Sequence, residues 1–398
     1  MKILVVNCGS SSIKYQLVEM PEEKLLAKGL LERIGETSSQ LTQQIDGGKR
    51  TVECVIADHE AGLELIVKTL LADEHRPIDD MSEIAAVGHR VVHGAEAFVE
   101  SVRIDDEVIQ AIESVQDLAP LHNPPNLTGI RAAMKLLPEV PHVAVFDTAF
   151  HQTMPDYAYR YALPHELYSD HRIRRYGFHG TSHRYVVDKA AKVLGKRPDQ
   201  VNVITCHLGN GCSMAAVRAG QSVDTTMGLT PLEGLVMGTR CGDIDPAITF
   251  FLARQGGLEL DQIDTLYNKK SGLLGVSGSS NDMRDIAGKA EHGDKRARLA
   301  MDIFAYRIRK YIGAYMAALG HTDAVVFAGG IGENSVVCRK LICEGLTELG
   351  IEVDPARNEN PAASRGFFST DASPVKLIVI LTNEEIMIAR DTVTVAAG

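Results

Sequence analysis

Two arginines, a few histidines and two carboxylates have the types and positions to do chemistry. Arg90 lies in GHRVVHG and Arg240 in MGTRCGD. Each ends an apolar, strand-like run beside glycine, a poor place for a merely solubilising charge. A guanidinium fork suits the paired oxygens of a carboxylate or a phosphoryl group. A pair of structural salt bridges is the other reading. Asp147 ends the run VAVFD, and a carboxylate at the carboxyl end of a strand is a usual address for a catalytic group in α/β folds. Glu384 follows the run KLIVIL and has the same kind of address. Acidic capping of a helix N-terminus is its alternative, and Glu385 fits that role. His179 and His183 are four apart in GFHGTSH, a spacing that binds zinc on a helix. No Glu lies between them and His179 precedes the helix, so a metal site is not expected there. His183 reads as structural.

Three glycine turns could serve these residues. VVNCGSSSIKYQL, from Val5 to Leu17, puts Gly and Ser between two apolar runs with Lys14 just beyond. Such a turn exposes successive backbone N–H groups, and these form an anion cradle. Ser10 and Ser12 add hydroxyl donors, and Lys14 adds a point charge. A permissive hairpin turn is the plain alternative. CHLGNGCS (206–213) is a second turn of this kind, containing His207, Leu208, Gly209, Asn210 and Gly211. FAGGIGENS (327–335) is a third, but it leads into a helix start, where free amides and the helix dipole favour a nucleotide. Gly330 and Gly332 let the backbone approach a ring or ribose. None of the three is a P-loop or a dinucleotide fingerprint. Together they describe a nucleotide held between two domains.

The elements that must carry these groups follow from the pattern. The chain has 398 residues, enough for two sizeable cores. Strands are expected at Ile3–Val6 and Ile13–Val18, at 83–94 and at 141–150. Asp46-Gly47-Gly48 reads as a hairpin turn. A helix is expected over 105–118. Another covers 182–195, with Thr181 or Ser182 as N-cap and Gly195 as stop. The longest, 295–320, has one apolar face that fits a dimer surface or an internal core equally well. The Gly- and Ser-rich stretch 271–285 reads mostly as a loop. Superimposing Gly9 on Gly209 pairs Asn7 with His207 and one turn with the other. That points to two domains of similar topology with a hinge near 148–155.

Composition narrows the partners. The net charge of −11 argues against nucleic acid or an anionic membrane as main partner. Seven cysteines (Cys8, Cys54, Cys206, Cys212, Cys241, Cys338 and Cys343) contain no C-x-x-C pair, so reduced, mostly buried thiols are expected. The start MKILVVNCGSSS is too short and too soon polar for a signal peptide, and no run reaches the ~20 apolar residues of a membrane span. A cytoplasmic protein is the expectation.

The ordered set VVNCGSSSIKYQL, YGFHGTSHRYV (176–186), CHLGNGCS, GLTPLEGLVMGTRCGDIDP (228–246), FAGGIGENS and TNEEIMIAR (382–390) resembles the acetokinase family, within the actin, sugar kinase and Hsp70 superfamily, essentially end to end. The resemblance implies an α/β fold of two duplicated actin-like (ribonuclease H-like) domains with a nucleotide cleft between them. The first would span 1–150 and be completed by 384–398, and the second would span 151–383 with a homodimer interface. The implied reaction is ATP plus acetate giving ADP plus acetyl phosphate, reversibly, with Mg²⁺ (Mn²⁺ able to substitute). Arg90 would bind acetate in a pocket walled by Val92, Leu121, Phe178 and Pro231. Arg240 would stabilise the transferring phosphoryl group, and His179 would donate a hydrogen bond to it. His207 would sit in the phosphate turn and His122 would support. Asp282, Met283 and Arg284 would approach the adenosine, along with Gly330, Ile331, Gly332, Glu333 and Asn334. Asn7 and Glu384 would complete the metal site. The family treats Asp147 as an acid/base and a magnesium-site group. Acetate is already ionised at neutral pH, so orienting the metal or its waters is the better role.

The bulk of Val92 and Phe178 favours a methyl group. One methylene is worth only ~1–3 kcal/mol of discrimination, so propionate should react more slowly rather than be refused. A propionate or other short-chain carboxylate kinase is thus the nearest alternative. A sugar kinase would need a base for a neutral hydroxyl and would have no need of Arg90. An Hsp70-like module would need a peptide-binding domain, for which no residues remain.

Overall fold

The protein is described here by a computed structural model covering residues 1–45, 48–72, 76–120 and 122–398. It divides into two compact units, Met1–Phe150 with Asn383–Gly398, and His151–Thr382.

The first unit is built on eight strands: β1 (Lys2–Cys8), β2 (Ser12–Glu19), β3 (Lys24–Glu32), β4 (Ser39–Ile45), β5 (Gly48–Cys54), β6 (Ile84–Val91), β7 (Val102–Arg103) and β8 (His142–Phe146). Their order is β5-β4-β3-β2-β1-β6-β8-β7. β1 to β5 form an antiparallel meander, while β1, β6 and β8 run parallel. β8 is buried along its whole length, as a central parallel strand covered on both faces must be. On the meander side, Leu4, Val6, Ile13, Tyr15 and Leu17 pack with Leu63, Ile66 and Leu70 of the helix His59–Leu71. Beyond β6, Val91 and Phe146 pack with Leu127 and Ile130 of the helix Asn123–Leu136. The C-terminal helix Glu384–Ala397 lies against β1, β6 and β8. Gly88 of β6 permits this: a Cβ there would fall 2.3 Å from Thr392 Oγ1. The predicted turn residues Asp46 and Gly47 lie outside the described residues, but β4 and β5 do pair, with Ile45 opposite Gly48.

The second unit has five strands: β9 (Asn202–Leu208), β10 (Cys212–Arg218), β11 (Gln221–Thr225), β12 (Ala324–Ala328) and β13 (Lys376–Val379), in the order β11-β10-β9-β12-β13. Three antiparallel strands are followed by two parallel ones. That is the plan of β3-β2-β1-β6-β8 in the first unit. The Gly9-on-Gly209 superposition lays β1 on β9 end to end, Lys2 on Asn202 and Cys8 on Leu208. Each turn is closed by its glycine: Gly9 N–H donates to Ser12 O at 2.8 Å, and Gly209 N–H to Gly211 O at 3.1 Å. The two halves of the chain therefore repeat one topology.

Three elements differ from expectation. The predicted 105–118 helix stops at Ser114 and gives way to a 3₁₀ turn, Gln116–Leu118. The predicted 182–195 helix runs Gly180–Val193, with His179, not Thr181 or Ser182, at its N-cap in left-handed conformation (φ 57°, ψ 23°). The 271–285 stretch is not a loop throughout, because Gly272–Ser277 is helical and a second helix starts at Met283. Leu273 and Met283 are buried there, so packing overrides the poor helix propensity of Gly and Ser. The long helix, Lys295–Leu319, is capped by Asp294 and ended by Gly320 at φ 75°. Its apolar stripe, including Met301, Phe304, Ile308, Ile312 and Tyr315, is buried within the unit against β9 and β10.

Candidate active site

In the first unit, strand register gathers the charged groups. Asn7 is the penultimate residue of β1 and Arg90 that of β6, on neighbouring parallel strands. Asp147 follows β8 directly, and its N–H donates to Val91 O at 3.0 Å. The Arg90 fork closes on this carboxylate: Nε lies 3.3 and 3.2 Å from its two oxygens and Nη2 lies 2.5 Å from Oδ2. Arg90 Nη1 donates to Asn7 Oδ1 at 3.3 Å. Burial opposes the charge of Arg90, but Asp147, Glu384 and Glu385 outweigh it and hold the guanidinium firmly protonated. The salt-bridge reading of Arg90 is what the structure shows, with one nitrogen on Asn7.

Glu384 opens the C-terminal helix, whose N-cap Asn383 accepts from Ile386 N–H. Burial, joined by Asp147 and Glu385, pushes its carboxyl up to about 7 against the pull of Arg90 and Lys14. Among the described residues, no group of three or more His, Cys, Asp or Glu is set to hold a metal. Mg²⁺ does not need one, since it takes one or two protein oxygens and completes its shell with phosphate and water. An amide oxygen on Asn7 and a carboxylate on Glu384 fit that pattern.

Two buried asparagines that the sequence reading passed over brace this edge. Asn126 donates to Cys8 O at 2.7 Å and accepts from Val92 N–H at 3.1 Å, tying the first glycine turn to the segment after Arg90. Asn123 clamps His93 through both its N–H and its carbonyl. The stretch NPPN, helix-starting prolines between asparagines, was the available signal. Val92 is buried, Leu121 lies outside the described residues, and His122 caps the Asn123–Leu136 helix. Ser10 and Lys14 are exposed, and Ser12 is half-buried.

The second unit gathers the phosphate-turn residues. A Cβ placed on Gly211 would lie 3.5 Å from His179 Nε2 and 3.7 Å from Arg240 Nη1. Turn, imidazole and guanidinium therefore border one small space. Arg240 Nη1 meets only neutral atoms, Pro231 O at 3.1 Å and Met237 Sδ at 3.6 Å, and no carboxylate pairs with it among the described residues. Burial pulls its pKa down, as expected for a cation without a counter-ion. The His207 ring lies 4.5 Å from the His179 ring, and its Nδ1 lies 2.8 Å from Ser182 Oγ. Phe178 is buried and its carbonyl accepts from His151 Nε2 at 3.0 Å.

Beside the turn is a cavity of about 770 Å³, lined by Gly209, Asn210, Asp282, Met283, Arg284, Gly330, Ile331 and Asn334. Its volume is that of a small-molecule site. Asn281, Ala287, Ser335, Val336 and Val337 complete the lining and were not singled out in the sequence. Arg284 pairs with Asp282 (Nη2–Oδ2 2.5 Å), whose carboxyl this pairing holds down to about 2. Gly332 and Glu333 serve differently from the lining residues. Gly332 packs near Phe327 and Cys206, and Glu333 Oε1 accepts from the N–H groups of Gly329 and Thr382, both at 2.9 Å. The buried Arg339 donates to the carbonyls of Gly332 and Glu333. Leu208, also expected near nucleotide, is fully buried at the end of β9.

Comparison with known proteins adds to this geometry. The sequence model of the Acetokinase family matches residues 2–390. An acetate kinase of Clostridium botulinum (strain 657 / Type Ba4) is 57% identical over 397 residues, covering 100% of both chains. Among solved structures, the acetate kinase of Porphyromonas gingivalis superposes with a TM-score of 0.94 at 48% identity, covering 99% of each chain. A propionate kinase from Francisella tularensis superposes at 0.92 with 44% identity, again over 99% of each chain.

Proposed function

This chain belongs to the acetokinase family, and we propose that the groups just described carry out reversible, magnesium-dependent phosphoryl transfer from ATP to acetate, giving acetyl phosphate and ADP. The enzyme is a phosphotransferase acting on a carboxylate acceptor. One observation carries the assignment of the reacting end: Arg240 Nη1, His179 Nε2 and the Gly211 backbone border one space, and Arg240 has no carboxylate partner among the described residues. A half-buried cation with neutral neighbours calls for an anion, and a phosphoryl group in flight is one.

Acetate and ATP are both anionic and repel each other, so the residues must offset charge and fix an in-line approach. Acetate needs no base. Arg90 orients its carboxylate, and Asp147 holds the Arg90 fork in place while trimming its charge. In the second unit, the turn Gly209–Gly211 receives phosphate oxygens on backbone N–H groups; in the first unit, Ser10, Ser12 and Lys14 are donors of the same kind. Arg240 and His179 bear on the transferring group. The cavity lined by Met283, Gly330 and Ile331 takes the adenosine, with Arg284 at its rim. Mg²⁺ held by Asn7 and Glu384 would neutralise phosphate charge.

We also place the enzyme in the cytoplasm as a homodimer. Among the described residues no helix is long and apolar enough to cross a membrane. The helix Ala247–Arg254 (AITFFLAR) buries none of its residues, and Phe250 and Phe251 are 59% and 63% exposed. Such a surface is what a second copy would cover.

The test is ADP release from Mg-ATP with formate, acetate, propionate and butyrate, compared as kcat/KM. Acetate should lead and propionate should follow by about 10-fold or more. A flat or propionate-led series would overturn the acyl-pocket reading of Val92 and Phe178, and no dependence on carboxylate would overturn the function.

A further inference from the structure

Behind His179 lies a buried chain of hydroxyls and imidazoles. Ser213 Oγ stands 2.9 Å from His179 Nδ1 and 2.7 Å from His183 Nε2. His183 Nδ1 lies 2.7 Å from Thr205 Oγ1, which also reaches the Ala215 carbonyl at 3.5 Å. Ser213, His183 and Thr205 are all buried. β9 supplies Thr205, β10 supplies Ser213, and the cross-strand register sets Thr205 opposite Ala215.

Counting protons along the chain gives it a direction. A carbonyl only accepts, so Thr205 gives its one hydroxyl proton to Ala215 O and accepts from His183 Nδ1–H. Burial, with His151 and His207 nearby, keeps His183 neutral, so its Nε2 carries no proton. Ser213 O–H therefore donates to His183 Nε2, and the Ser213 lone pair accepts His179 Nδ1–H. The neutral His179 ring has then placed its only proton away from the space shared with Gly211 and Arg240.

We propose that Thr205, His183 and Ser213 form a positioning relay that locks His179 as its Nδ1–H tautomer, so that Nε2 donates to a phosphoryl oxygen only after the ring takes up a second proton from solvent. This rests on the reading of His179 as a hydrogen-bond donor to the transferred group. The titratable groups that face His179 are consistent with uptake on binding. Among the described residues they include His183 through Ser213, His207 with its ring tilted at 4.5 Å, and Arg240 across Gly211. Arg240 and any charge on His207 disfavour a second cation in the empty site, and an anionic nucleotide reverses that balance. A donor that needs a second proton sets the sign of the test: turnover should fall as pH rises.

Histidine ¹⁵N NMR of the whole enzyme tests the relay. Neutral His179 should show its proton on Nδ1, and addition of Mg-ADP with acetate should protonate Nε2. Ser213→Ala should allow the Nε2–H tautomer, lower kcat by ~10–100-fold with little change in the KM for ATP, and flatten the fall of kcat at high pH. Ser213→Thr, which keeps a hydroxyl, should restore the wild-type tautomer. Thr205→Val touches neither His179 nor substrate and should loosen the tautomer in the same direction, which keeps the question open to decision if Ser213→Ala fails to fold. A neutral wild-type His179 with its proton on Nε2 overturns the relay, as does a Ser213→Ala enzyme with unchanged tautomer and pH profile. His179→Ala with near-normal kcat would instead sink the donor reading and leave the tautomer result standing.

Discussion

The two arginines show how much a partner decides. Among the described residues the Arg240 guanidinium donates to a carbonyl and a thioether, so Arg240→Ala removes a charge without orphaning a carboxylate there. It should fold normally and lose ~10²–10³ in kcat, measured by steady-state turnover beside a melting curve. Arg90 is different because Asp147 is only 1% exposed and depends on it. Arg90→Ala leaves a buried carboxylate uncompensated, at a cost of about 3–5 kcal/mol. It should lose stability together with activity, and adding Asp147→Asn should recover most of the melting temperature but none of the turnover. Glu384 gives a pH signature. Its carboxyl is pushed up to about 7 by burial and by Asp147 and Glu385. The folded state therefore holds a proton that the unfolded chain releases at the usual carboxylate range, and stability is lost as pH rises toward 7. In EDTA, Glu384→Gln should match wild type near pH 5 and exceed it by on the order of 1 kcal/mol at pH 8, with catalysis lost at both. A stability difference that shrinks with rising pH would contradict that environment for Glu384.

At the scale of elements, the glycine turns are places where side chains would stand in the way. At Gly211 an added Cβ meets nothing closer than 3.5 Å, so the fold has room for it. The space it fills is the one between His179 and Arg240. Gly211→Ala should therefore melt like wild type but bind nucleotide poorly, with the KM for ATP raised by ~10-fold or more and kcat reduced. A normal KM would remove phosphate from that turn. The helix 180–193 shows the same principle in reverse. Its first residue could be misread by two positions because His179 adopts φ 57°, a conformation that sequence rarely announces outside glycine. The 271–285 stretch was misread because Gly and Ser promise flexibility, whereas Leu273 and Met283 are buried.

At the scale of the molecule, one topology is used twice, and each copy takes its own chemistry. The first carries Asn7, Arg90, Asp147 and Glu384 at the ends of its strands and final helix, and the second carries His179, Arg240 and the cavity beside its turn. The apolar stripe of the long helix is internal, so the homodimer proposed above would use the 244–251 region, where Ile244, Ile248, Phe250 and Phe251 are all exposed. Phe251→Asp should convert the dimer to a monomer in light scattering at low micromolar concentration, with each unit still folded. A wild-type chain that is monomeric from the start would dismiss the dimer.

The amino-acid sequence by itself determined the class of fold, the two-fold repeat, the turns and the family. Those depend on local signals: alternating apolar runs, glycines where the chain must bend, and short blocks in fixed order. Only the tertiary structure decided who meets whom. Arg90 finds Asp147 57 residues away, and Ser213 joins two histidines from a helix some thirty residues earlier. Glu333 accepts from the backbone N–H groups of Gly329 and Thr382, and Asn126 braces the first turn from another helix. Such pairings are set by strand register and by the order of strands in a sheet, where a one-residue slip turns every side chain to the other face. The physical reason for the division is range: propensity and periodicity act over a few residues, while hydrogen bonds and charges act through space between segments that only folding brings together.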